Sequence, residues 1–162
     1  MKHSHWFLPL LIIAQLACVD INFTQRTLKE AMNQRDFRLV SNIKEMPAKL
    51  SVSFFSITGI RKHDMANPGE TWNGGDVYFD SIPSCALLLA GSSPNYSFVA
   101  YQTGGLMSKT NLVIFRNHDD SLITAWRGYS PGNFVHYNAA DSTLIALRNT
   151  ALRGEFINES TN

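Results

Sequence analysis

The chain has 162 residues, a formal net charge of +1 and no block of like charges, so its electrostatics favour neither nucleic acid nor an anionic membrane surface as a partner. Hydrophobic residues make up 44% and charged residues 17% of the sequence, which argues against disorder and suits one domain with a real core. The two cysteines, Cys18 and Cys85, form neither a disulfide framework nor a zinc-binding spacing. We therefore expect no metal site, no cofactor and no nucleic-acid partner.

The first 17 residues have the build of a secretory signal. Lys2 supplies the positive charge of a short n-region, and Trp6 to Ala17 is an uncharged, mostly apolar run that is too short to span a bilayer comfortably. A buried N-terminal helix is the alternative. We predict a cleaved signal peptide over 1–17, a single α+β domain over 18–162, and an exported protein located in the periplasm or at the cell surface.

The residues at the end of this segment bear on membrane attachment. Gln15-Leu16-Ala17-Cys18 resembles the bacterial lipoprotein signal, in which a small residue precedes a lipidated cysteine, although Gln15 stands where that signal normally has an aliphatic residue. The resemblance implies a lipid anchor on Cys18, and a plain cleaved signal is the alternative. Membrane contact is expected only through such an anchor.

Two helices are predicted, one near each end of the mature chain. The first lies within Ile21 to Arg38, where Thr27 and Glu30 have the spacing of a capping box and Leu28 and Met32 share a face. A start nearer Thr24 is equally compatible. The second is indicated by an apolar stripe at helical spacing, with an N-cap from Asp141 to Thr143 and Gly154 at the C′ position; its members are Leu144, Leu147, Ala151 and Leu152. A strand over Thr143 to Leu147 is the alternative, and Phe156 to Asn162 is predicted to be a frayed tail.

Between the helices the pattern is mainly that of strands. Lys49 to Ile60 alternates and then changes phase after two phenylalanines, which predicts a strand with a β-bulge. A long polar loop, Arg61 to Gly75, carries Trp72. Five further strands are predicted, at Asp76–Asp80, Cys85–Gly91, Tyr96–Thr103, Asn111–Arg116 and Ser121–Arg127.

These elements predict an α+β fold. An antiparallel sheet of about five strands would carry the N-terminal and the C-terminal helix, both on one face. Cys85 to Ala90 is continuously apolar, the pattern of a strand covered on both faces.

No catalytic motif stands out, and the catalytic residues stay unknown. A hydrolase or transferase could use His118 with Asp119, or Cys85 with His136 or His118, but His118 to Asp120 reads better as a hairpin turn and Cys85 as a buried thiol. Tyrosine and tryptophan suit binding faces because they combine a broad apolar area with a polar tip. The predicted ligand-binding residues are Trp72, Tyr78, Trp126 and Arg127.

Function is predicted accordingly. The leading hypothesis is an exported, non-catalytic binding or interaction domain for an unknown protein or small-molecule ligand. The alternatives are a small hydrolase or transferase and a structural envelope lipoprotein.

Overall fold

The computed structural model describes residues 25–119, 121–132 and 139–159. The predicted signal segment, Cys18, His136 and Asp120 lie outside these ranges. None of the helices in the described part of the chain is long and apolar enough to cross a membrane.

The described part of the chain forms seven strands and three α-helices. The helices are α1 (residues 25–32), α2 (Ala48–Thr58) and α3 (Ala140–Leu152). The strands are β1 (Arg38–Val40), β2 (Met65–Ala66), β3 (Cys85–Ser92), β4 (Tyr96–Thr103), β5 (Lys109–His118), β6 (Ser121–Pro131) and β7 (Ile157–Asn158), and single 3-10 turns occupy Ile43–Glu45 and Lys62–Asp64.

All seven strands belong to one sheet. Their order is β1-β3-β4-β5-β6-β7, with every pair along this path antiparallel, and the two-residue β2 pairs in parallel with the start of β3. The α+β fold with an antiparallel sheet is confirmed. The sheet is larger than predicted because three of its strands are only two or three residues long, too short to show a period in the sequence.

The sheet is covered on both sides. One core packs α1 and α3 on one face, through residues such as Leu28, Leu147 and Phe98. The other core packs α2 on the opposite face, around Phe54 and Tyr101. The central strands therefore lie between two apolar layers, as the continuously apolar β3 predicts.

The predicted strand over Lys49 to Ile60 is wrong, because these residues form α2. Leu50 and Phe54 are buried four residues apart on one helix face, whereas Val52 between them is 71% exposed. What looked like a change of strand phase was therefore helical spacing. The helix ends at Gly59, whose φ of 68° is the left-handed conformation that glycine favours at this position.

The predicted strand over Asp76 to Asp80 is also wrong: this segment is an irregular loop in which all five residues are exposed.

The predicted capping box at the start of the first helix is wrong as well. Residues 25–32 are helical and Thr27 is buried within them, so Thr27 does not begin the helix. Leu28 and Met32 do share the buried face. The helix ends at residue 32 rather than near Arg38, where β1 begins.

The segment after α3 is ordered rather than frayed up to residue 159. Phe156 is buried and meets the ring of Trp126 edge-on, with the ring centroids 5.8 Å apart. Ile157 and Asn158 then pair with β6. The helical reading of α3 is confirmed, although it begins at Ala140 rather than within the predicted cap.

One long-range contact ties the two helices of the first face together. The guanidinium of Arg148 on α3 donates from Nε to the Met32 carbonyl at 2.7 Å and from Nη2 to the Gln34 carbonyl. These carbonyls lie at the end of α1, where the backbone has no helical donors left. Arg148 therefore caps α1, which is distant in sequence. Its positive charge interacts favourably with the negative end of the α1 dipole.

Candidate functional site

The four predicted ligand-binding residues do not form one surface. Trp126 lies in the core and is 3% exposed. Arg127 is half-buried on β6, where its Nε lies 2.8 Å from a carboxylate oxygen of Glu159. Trp72 is half-buried in the loop before β3, and Tyr78, in the same loop, is 63% exposed. Of the four residues, only Trp72 and Tyr78 therefore lie on accessible loop surface.

A single buried side chain, Asn73, holds this loop in shape. Its Nδ2 donates to the carbonyls of Phe79 and Ile82, both at 2.8 Å, and its Oδ1 accepts from the Phe79 N–H at 3.0 Å. The Asn73 N–H donates to the Pro83 carbonyl at 2.8 Å. These bonds satisfy backbone groups that have no strand partner, so the segment from 73 to 83 is closed without secondary structure.

The loop rests directly on the turn between β4 and β5. A Cβ atom added to Gly104 would lie 2.0 Å from the Asn73 carbonyl oxygen and 2.8 Å from the Gly74 Cα. This close backbone approach is open only to glycine. The two loops therefore form one connected end of the domain.

This end exposes an unusual set of large apolar side chains. We call it the apolar loop platform; its members, with their exposed fractions, are Val77 (66%), Tyr78 (63%), Phe79 (55%), Leu106 (90%) and Met107 (70%). The two loops that carry these side chains are in backbone contact at Gly104, and exposed apolar groups gathered in one region of a folded domain mark interaction sites more often than scattered single residues do.

Charge around the platform is mixed. Asp76 and Asp80, within the first loop, are both exposed. The exposed guanidinium of Arg61 is paired with Asp64, and the Tyr78 hydroxyl is among the groups that raise its pKa, after the larger effects of Asp64. A partner therefore meets two carboxylates at this end, with one paired guanidinium near Tyr78.

Four of the five platform residues lie outside the predicted ligand-binding set. As members of one predicted strand, Val77 and Phe79 would share a face of the sheet. Leu106 and Met107 are two adjacent apolar residues after Gly104 and Gly105, and a short turn rarely buries both side chains of such a pair. That pattern was the available signal.

The residues considered for catalysis are dispersed. The Cys85 thiol is buried and donates to the Asp64 carbonyl at 3.3 Å, and burial raises its pKa to about 12. His118 Nδ1 lies 3.5 Å from a carboxylate oxygen of Asp119, and both side chains are exposed in the β5–β6 turn. A thiol with so high a pKa supplies almost no thiolate at neutral pH.

The carboxylates of Asp64 and Glu70 both have hydrogen-bond partners. Arg61 donates to Asp64 at 2.7 Å and holds the pKa of that carboxyl below its usual range. Glu70 accepts from the Asn67 backbone at 2.7 Å and from its side chain at 3.0 Å, and the same bonds lower its pKa. Within the described ranges, no three His, Cys, Asp or Glu residues are grouped so as to hold a metal ion.

Known proteins give no further guide to the site. No family model, no curated protein and no solved structure matches this chain.

Proposed function

We propose that this chain is an exported, non-catalytic interaction domain that binds a partner protein through the apolar loop platform. The observation that carries the proposal is a set of five exposed apolar side chains, Val77, Tyr78, Phe79, Leu106 and Met107, on two loops in direct contact.

The fixed shape of the loops supports recognition. Because Asn73 closes the first loop and Gly104 seats it on the second, the apolar side chains are presented without a large ordering cost on binding. Burying an exposed aromatic or aliphatic side chain of this size contributes about 1.5–3 kcal/mol before association costs. Tyr78 and Phe79 have the character of aromatic anchors at protein interfaces.

The two exposed carboxylates of the first loop favour a protein over an anionic membrane. The carboxylates of Asp76 and Asp80 would be repelled by anionic headgroups, whereas basic side chains around an apolar pocket of a partner would complement them. We therefore expect the partner to present an apolar pocket with a basic rim.

Two observations disfavour the alternative of a hydrolase or transferase. The Cys85 thiol is buried with its pKa raised by burial, and it donates to the Asp64 backbone carbonyl rather than to a base. The side chains of His118 and Asp119 are 65% and 91% exposed, and such contact with water weakens acid–base catalysis relative to an enclosed site.

The proposed location rests on the sequence of residues 1–17 and on Cys18. Fractionation of cells that express the full chain should place the protein outside the cytoplasm, and recovery in the cytoplasm at full length would contradict export. Metabolic labelling with a fatty-acid analogue tests the anchor: label that is lost in Cys18→Ala supports lipidation, and absence of label, or unchanged label in the variant, refutes it.

Binding is tested with two matched triple variants. Tyr78→Ser/Phe79→Ser/Met107→Ser removes apolar side chains of the platform, and Val52→Ser/Ile123→Ser/Ile145→Ser removes three exposed apolar side chains elsewhere. Affinity capture from the envelope fraction of the source cells should retain the same partner with wild type and with the control variant, and lose it with the platform variant. A partner that both variants retain, or both lose while folded, would contradict the proposal.

A further inference from the structure

A polar cleft lies at the opposite end of the sheet from the platform. It has a volume of about 360 Å³ and is lined by Glu30, Gln34, Asn95, Tyr96, Arg116 and Asn117. β4 begins at this cleft with Tyr96 and ends beside the platform with Thr103, so the two sites are about 23 Å apart along the strand.

The floor of the cleft is rigid. Asn117 Nδ2 donates to the Ser93 carbonyl at 2.6 Å, its Oδ1 accepts from Ser97 Oγ at 3.0 Å, and its backbone N–H donates to the Asn95 carbonyl at 2.8 Å. Tyr96 is buried on the same face of the sheet as Arg116, its partner in the β4–β5 ladder. The cleft side chains of β4 and β5, Tyr96 and Arg116, are therefore attached to well-ordered backbone.

Arg116 is the group with spare binding capacity. Its Nη2 donates to the Tyr96 hydroxyl at 3.4 Å, and its guanidinium carbon lies 5.8 Å from the centre of the same ring. Among the described residues this is its one side-chain hydrogen bond, although a guanidinium has five N–H donors. The exposed remainder of the fork faces solvent, in a geometry suited to a carboxylate.

Glu30 supplies the opposite charge from α1. It is close enough to Arg116 to help raise the pKa of that guanidinium, after the larger effect of the Tyr96 hydroxyl. In the described part of the chain no ion pair joins the two side chains, whereas Arg61, Arg127 and Arg153 each contact a carboxylate. The cleft thus holds one cation and one anion across an open space.

We infer that this cleft binds a small zwitterionic ligand, an α-amino acid or a short peptide with free termini. The ligand carboxylate would bind the guanidinium of Arg116, and its ammonium group would bind the carboxylate of Glu30. The volume admits a ligand of this size. Binding is non-covalent, and it does not depend on the platform at the other end of the domain.

The test is an NMR titration of the ¹⁵N-labelled chain. The probes are alanine, alanyl-alanine and the doubly capped N-acetyl-alanyl-alanine amide. We expect saturable shifts at the amides of Asn95, Tyr96, Arg116 and Asn117 with alanine or with the free dipeptide, the responding probe identifying the ligand length, and at least about tenfold weaker binding of the capped peptide. Shifts that never saturate with either free probe, or equal affinity for the capped peptide and the responding free probe, would overturn the inference.

Variants assign the two charges. Arg116→Met and Glu30→Gln should each weaken binding of the responding probe by about tenfold. The control Arg153→Met removes an arginine that is paired with Glu155 and does not line the cleft, and it should leave binding unchanged. Unaltered affinity in either cleft variant would refute the assignment. The platform triple variant should retain the titration, so failure of the partner-binding proposal is distinguishable from failure here.

Discussion

Replacing Asn73 with alanine should release the loop that carries the platform. The change removes three side-chain hydrogen bonds, two donated to the Phe79 and Ile82 carbonyls and one accepted from the Phe79 N–H. A hydrogen bond contributes about 0.5–1.5 kcal/mol net, and the lost bonds are only part-buried, so water can replace some of them. We therefore expect a loss of about 2 kcal/mol in the free energy of unfolding, near the lower end of the sum.

Urea unfolding and hydrogen exchange measure the two parts of this effect. With an m-value of about 2 kcal/mol/M, the urea midpoint should fall by about 1 M, and protection of the Phe79 amide should fall further than that of the β4 amides. Asn73→Asp keeps the acceptor for Phe79 N–H but places a carboxylate against two carbonyls, so it should be at least as destabilising. Asn33→Ala, at an exposed position after α1, is the control. A stability of Asn73→Ala within about 0.5 kcal/mol of wild type would refute the role given to Asn73.

Three further changes test other parts of the structure. Arg148→Met should lower the free energy of unfolding by about 2 kcal/mol, because the carbonyls at the end of α1 lose a charged donor; a neutral effect in urea unfolding would contradict this. Gly104→Ala should cost about 1–3 kcal/mol, since its Cβ would meet the Asn73 carbonyl, and an unchanged midpoint would show that the loops are not seated together. Burial raises the pKa of Cys85 from 9.0 to about 12 and that of Tyr101 from 10.0 to about 12, so the folded state keeps protons that the unfolded chain releases. Stability should therefore fall by about 1–2 kcal/mol between pH 8 and pH 10, and Cys85→Ala should remove most of this drop; a flat pH profile for the wild type would contradict the burial effect.

The central strands could be predicted because they are long and strongly patterned. β4 begins at Tyr96 and ends at Thr103, as predicted. The continuously apolar sequence of β3 correctly predicted that both faces of this strand are buried. The helix α2 was misread because Leu50, Val52 and Phe54 alternate over a short window. A strand period of two and the helical i, i+4 spacing both place Leu50 and Phe54 on one side. Only the exposure of Val52 distinguishes the helix from the strand.

The site residues were harder to predict because tertiary contacts decide them. Trp126 is buried in the core, where Phe156 packs against its ring, whereas the sequence predicted a frayed end at Phe156. Val77 and Phe79 are exposed because Asn73 closes the loop at a distance of six residues, a contact that no local pattern announces. The cleft joins α1 to the ends of β4 and β5, and that juxtaposition follows from how the layers pack.

Site-specific photo-cross-linking in the source cells tests the central claim most directly. A photoreactive amino acid replaces Tyr78 in one variant and Val52 in the other, two residues of similar exposure at 63% and 71%, one on the platform and one on α2. We predict that position 78 yields one discrete covalent adduct with a partner protein and that position 52 does not. Adducts of the same pattern from both positions, or none from position 78, would contradict recognition through the platform.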